Sequence, residues 1–151
     1  MLHLSTALCP TDLATGSRAL VRAAAGIAAV FSARLILLHV IRLPPLPPGP
    51  IIPGDMGSLL TALHQKAERD LRELMHAASC VGVEATLLTA EGWPATEILR
   101  IARAVSADLI VMATHGRTGL HRLMFGSVCE EVTQTAGCPV LALRYDRKRK
   151  D

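Results

Sequence analysis

The chain alternates short apolar runs with longer segments whose apolar positions recur every three or four residues. Leu2 to Cys9 is short and mostly apolar, and "PTDLATGS" breaks it. "RALVRAAAGIAAVFSA" follows with Leu20, Ala24, Ile27 and Phe31 at helical spacing, so the opening reads strand, loop, helix. "RLILLHV", Arg34 to Val40, is a continuous apolar run, which fits a strand buried on both faces and completes a βαβ unit.

"IRLPPLPPGPIIPGDMG" holds six of the nine prolines and cannot form a regular helix or central strand. Its length inside a compact domain marks its core, residues 44–53, as a lid or a spacer. "SLLTALHQKAERDLRELMHAASC" then carries Leu59, Leu63, Leu71, Leu74 and Met75 on one face and charges on the other, an amphipathic helix. The pattern repeats as "VEATLLTA" strand, "PATEILRIARAV" helix with Pro94 in its first turn, and "ADLIVMAT" strand. A helix from Ser127 and a last strand "PVLALRY" close the chain.

Five strands alternating with four helices predict a single α/β domain, an open parallel five-stranded sheet with helices on both faces. In such sheets ligands bind outside the carboxyl ends of the strands, where the strand order reverses. The loops holding Asp12, Val40 and Gly116 all fall at that edge.

Composition narrows the class. A chain of 151 residues suits one domain and buries roughly 68–70% of its unfolded surface. Half the residues are hydrophobic but only 3% aromatic, so Ala, Val, Ile and Leu must build the core. The net charge of +3 comes largely from "RYDRKRKD" at the end, and aromatics to stack bases are few, which argues against nucleic acid as a partner. No run reaches the roughly 18 apolar residues of a membrane span, and the N-terminus lacks a signal-peptide pattern, so a cytoplasmic protein without a membrane partner is expected. Cys9, Cys80, Cys129 and Cys138 form no CxxC pair, and buried reduced thiols are expected rather than a metal site.

The chemistry concentrates in "THGRTGLHRLMFGS". Gly116 and Gly119 let the backbone turn and be approached closely, and Ser127 can cap a helix whose first N–H groups point outward. Arg117, His121 and Arg122 add positive charge beside any anion held there. A Walker A loop is excluded because no lysine lies between Lys66 and Lys148, and GxGxxG is absent. By residue type alone, Asp12 caps the first helix, fixes a turn or meets a ligand, while the two glycines serve a turn or a ligand. His39 ends an apolar strand as a hydrogen-bonded core or pocket histidine; His115 and His121, six apart, are solvated loop residues; Trp93 is a packing residue.

"ATHGRTGLHRLMFGSVCEEVTQTAGCPVLAL", together with "LCPTDLATGSRAL" near the start, resembles the universal stress proteins over nearly the whole chain. The family signature is Gly, two residues, Gly, nine residues, Gly-Ser. Here it reads Ala113, Thr114-His115, Gly116, nine residues, Gly126-Ser127, so only the first glycine departs.

The resemblance implies a Rossmann-like, adenine nucleotide alpha hydrolase-like fold of strand order 3-2-1-4-5. It spans residues 1–146, followed by a basic tail, 147–151. It further implies an ATP site of Pro10, Thr11, Asp12, Val40, Met112, Ala113, His115, Gly116, Arg117, Gly119, Gly126, Ser127 and Val128. In that site Asp12 lies near the adenosine, Val40 lines the adenine pocket, and the backbone around Gly116, Gly126 and Ser127 holds ribose and phosphates. Mg would reach Asp12 only through the nucleotide, and no resident metal or catalytic residue is expected. The implied function is a stress-response sensor that binds ATP with little or no turnover, a homodimer through strand 139–145 that acts on an unidentified protein partner. Two other readings stand beside it: a nucleotide-free interaction module in which Ala113 marks a decayed site, and a slow ATPase.

Overall fold

A computed structural model of the chain describes residues 3–14, 16–43, 45, 55–114 and 126–144. The elements are β1 (Thr6–Pro10), α1 (Ser17–Phe31), β2 (Arg34–Ile41), α2 (Asp55–Ser79), β3 (Ala85–Glu91), α3 (Pro94–Ala104), β4 (Leu109–Ala113), α4 (Ser127–Thr135) and β5 (Val140–Leu143). The strands form one sheet in the order β3-β2-β1-β4-β5, every neighbouring pair parallel. The expected fold class and strand order are both observed.

Alternation along the strands divides the core into two layers. Ala7, Cys9, Leu35, Leu37 and Val111 face α1 and α2, where they meet Leu20, Val21, Ala24, Ala25, Ala28, Leu71 and Ala78. Leu8, Ile36, Leu38, Val40, Ile110 and Met112 face α3 and α4, where they meet Ala95, Ile98, Leu99, Ala102, Cys129 and Val132. The alanines of α1 supply little bulk, which lets the helix lie close on the sheet with Ala24, Ala25 and Ala28 fully buried. That helix stops at Ser32, which adopts φ 52, and the Ala33 N–H donates to the Ala28 carbonyl at 2.8 Å, the backward bond of a Schellman-type end.

Several sequence readings shift. Phe31 and Leu59 hold the expected helical spacing yet are exposed; Phe31 is the last residue of α1, and Leu59 lies in the second turn of α2. β1 starts at Thr6 rather than Leu2: Oδ2 of Asp108 accepts the Ser5 and Thr6 amides at 2.8 and 2.9 Å, although Leu4 is buried. The thiols divide, since Cys80 is exposed while Cys9 and Cys129 are buried, and burial pushes the Cys9 thiol up to about 12. All four cysteines are unbridged.

Asp108 also yields an acid-stability prediction. The two backbone N–H donors hold its carboxyl below the ordinary value of 3.8. A depressed folded value adds stability above the unfolded value and loses it as pH falls through the folded one. Asp108→Asn is therefore expected to lower the urea midpoint at pH 7, with the gap to wild type closing as pH drops below about 4. A gap constant from pH 7 to 2 would remove the carboxylate from acid unfolding.

Candidate functional site

Leaving β1 the chain goes first to β2 on one side and later, after β3, crosses to β4 on the other. The crevice at the carboxyl ends of β1 and β4 is therefore the topological switch point. Three parts of the chain converge there: the turn after β1, the end of β2, and the end of β4 with the start of α4.

The turn is built tightly. The Thr11 N–H donates to the Leu38 carbonyl at 2.8 Å, carrying the parallel pairing one step beyond β1. Oγ1 of Thr11 donates to Oγ of Ser17 at 2.8 Å and accepts the Leu13 N–H at 3.1 Å. His39, on the β2 side, has Nδ1 2.8 Å from the Thr11 carbonyl; only a protonated nitrogen can donate to a carbonyl, so Nδ1 carries a proton in this bond. His39 thus takes the expected hydrogen-bonded pocket role.

Asp12 uses one oxygen in a turn and leaves the other unpaired. Oδ1 accepts the Ala14 N–H at 3.0 Å, an Asx turn that accompanies Leu13 at φ 59, while α1 itself is capped by Gly16. Oδ2 is buried and has no hydrogen-bond partner among the described residues. A buried carboxylate oxygen without a donor costs folding free energy, and a ligand hydroxyl, amine or cation would offset that cost.

At the end of β4, the Thr114 N–H donates to the Leu143 carbonyl at 2.9 Å, and the Gly126 N–H donates to the Thr114 carbonyl at 2.6 Å. Residues 114 and 126 are thereby held together. The residue before α4 is Gly126, at φ −72 and ψ 153, and no described side chain caps the helix. Ser127, read from sequence as a cap, is instead the first helical residue and is exposed, because Gly126 already occupies the extended cap conformation. The first-turn N–H groups of α4 lack intrahelical acceptors and point out of the carboxyl edge. Ala113, where the family signature has glycine, is a half-buried residue of β4 with negative φ, so its backbone makes no demand for glycine.

Of the residues assigned from sequence, Pro10, Thr11, Asp12, Val40, Met112, Ala113, Gly126, Ser127 and Val128 all lie at this edge. Val40 and Met112 are buried in the layer under α3 and α4, so they form floor rather than polar contacts. His115, Gly116, Arg117 and Gly119, and also His121 and Arg122, lie outside the described residues. No grouping of three or more His, Cys, Asp or Glu suited to a metal occurs among the described residues. Nor is any described helix long and apolar enough to cross a membrane.

Sequence reasoning missed a cluster beside the site. Trp93, read as packing, is 52% exposed; the Arg42 guanidinium lies 4.9 Å from its ring centroid, and its Nε1 donates to Oε2 of Glu131 at 3.3 Å. The available signal was a tryptophan directly before Pro94, where a helix begins on the ligand-binding edge.

The universal stress protein family model matches residues 4–144, and the chain belongs to that family. It is 34% identical over 139 residues to a universal stress protein of Methanocaldococcus jannaschii, covering 92% of this chain and 81% of the relative. Among solved structures it resembles the universal stress protein UspA of Lactobacillus plantarum, with TM-score 0.79, 24% identity and coverage of 94% of this chain and 99% of that one. It also resembles a universal stress protein in complex with cAMP, with TM-score 0.70, 23% identity and coverage of 94% and 98%. A universal stress protein of Archaeoglobus fulgidus in complex with dAMP has TM-score 0.67, 19% identity and coverage of 94% and 98%.

Proposed function

We propose that the protein binds ATP at the carboxyl edge of β1 and β4 and acts in the cytoplasm as a stress-response sensor with little or no turnover. The observation that carries this reading is the buried Oδ2 of Asp12, without a partner among the described residues, on the same edge as the N-terminus of α4, which no described side chain caps. An acceptor with no donor suits the hydroxyls or amines of an adenosine, and outward-pointing N–H groups suit phosphate. The family membership supports it, as do the cAMP and dAMP complexes of similar folds.

The residues proposed to hold the nucleotide are Pro10, Thr11, Asp12, Val40, Met112, Ala113, His115, Gly116, Arg117, Gly119, Gly126, Ser127 and Val128. A single carboxylate oxygen fits Mg only as a cation carried in with the triphosphate, where the ion would neutralise phosphate charge. The binding domain is proposed as residues 1–146, with 147–151 a basic tail.

Calorimetry with ATP, ADP and AMP in the presence of Mg, on protein stripped of bound nucleotide, tests the reading. Micromolar ATP binding is expected. No binding and no co-purified nucleotide would leave the interaction-module reading, which the methyl group of Ala113 favours.

The assembly proposed is a homodimer through β5. This strand ends the sheet, and Leu141 on it is exposed, so its outer edge needs a partner or a cover. Light scattering at micromolar concentration is expected to give about twice the 16.1 kDa chain mass, and a clean monomer would remove the dimer.

A further inference from the structure

The Arg42, Trp93 and Glu131 cluster joins three parts of the molecule that the chain keeps far apart. Arg42 follows the last residue of β2, two positions after Val40. Trp93 is the residue before α3, extended at φ −79 and ψ 123. Glu131 is the fifth residue of α4, on the helix whose start carries Gly126, Ser127 and Val128.

The arrangement is anchored by backbone. Gly92, at φ 136, donates its N–H to the Ile41 carbonyl at 3.1 Å, which sets the start of α3 beside the end of β2. A side chain at position 92 would be strained by that φ, and its Cβ would stand 3.3 Å from Cγ of Glu97. Trp93 is consequently placed where one contact reaches back to Arg42 and another reaches across to α4. A cation over an indole face and an indole N–H to a carboxylate are both directional, so together they fix orientation as well as distance.

We infer that Trp93 is a positioning residue: bridging Arg42 and Glu131, it sets the start of α4 relative to the end of β2, and so sets the phosphate end of the nucleotide site against its base end. This inference rests on the proposed nucleotide reading. A half-exposed tryptophan contributes less to the core than a buried one, and its two polar contacts rather than apolar burial account for its place. The bridge acts on ligands that span both ends of the site, so its loss discriminates by phosphate length.

Trp93→Ala, Trp93→Phe and Glu131→Gln test it in the full-length protein. Trp93→Ala is expected to lower the preference for ATP over AMP about tenfold, measured by calorimetry. Glu131→Gln keeps an acceptor for the indole and is expected to stay within about threefold of wild type, whereas Trp93→Phe keeps a ring for Arg42 but loses the N–H that reaches Glu131, so it is expected to lose the preference as alanine does. Hydrogen exchange without ligand gives a second readout: Trp93→Ala should speed exchange about tenfold at the hydrogen-bonded amides of residues 130–133 while those of β1 and β2 hold their wild-type rates.

An unchanged ATP to AMP ratio, or exchange that rises equally throughout the chain, would overturn the bridge. Wild-type protein that binds neither nucleotide would overturn the nucleotide reading itself. In that case the local exchange change still decides whether Trp93 positions α4.

Discussion

Replacing Gly126 by valine is expected to abolish ATP binding, weakening it at least a hundredfold, while the protein stays folded. Gly126 sits at φ −72 and ψ 153, a conformation open to any L-residue, so the substitution introduces no backbone strain. Its N–H still donates to the Thr114 carbonyl. The fold loses about 1 kcal/mol, because valine is a poorer residue than glycine before a helix, and Tm falls by only ~2–4 °C. A branched side chain there would stand beside the first-turn N–H groups of α4, where a phosphate is proposed to rest. Calorimetry and a thermal melt on one preparation separate the two effects. Wild-type affinity in the valine variant would move the phosphates away from α4.

The largest stability effect is expected from Leu37→Ala. Leu37 pairs with Cys9 at the centre of the sheet, has no exposed surface, and belongs to the layer beneath α1 and α2. Truncation removes apolar contacts on every side, and the strands to left and right prevent collapse into the space left. A loss of about 3 kcal/mol, lowering Tm by ~10 °C, is expected in thermal and urea melts. Leu59→Ala is the matched control: Leu59 is 42% exposed on α2, so its truncation should change stability by about 0.5 kcal/mol or less. Equal losses at the two positions would contradict the assignment of the core.

Those two leucines also show what sequence could and could not reveal. Leu37 was legible because "RLILLHV" is a continuous apolar run, and such runs belong to strands covered on both faces. Leu59 carried an equally good helical spacing, but spacing reports which face a residue lies on, not whether anything lies opposite. Phe31 fails for the same reason.

At the site, the turn after β1 and the start of α4 were legible because Pro, Asp, Gly and Ser are limited in the conformations they favour. The division of labour between Gly126 and Ser127 was not, since both residues suit a cap and only the backbone angles choose between them. Asp12 was left between a cap, a turn and a ligand; one oxygen makes the turn, and the other has no partner among the described residues. The bridge through Trp93 was beyond any local pattern: Arg42, Trp93 and Glu131 meet only after the strand order is known.

The bond from Gly126 to Thr114 has a consequence for the length of chain it closes. Thr114 and Gly126 are held side by side at the end of β4 by backbone groups. Closing the ends is already done, and lengthening the segment between them adds only slowly to its entropy cost. A closure made between a backbone N–H and a backbone carbonyl asks for no particular side chain at either end. A change of length between positions 114 and 126 that keeps this bond therefore leaves the ends of β4 and α4 where they are.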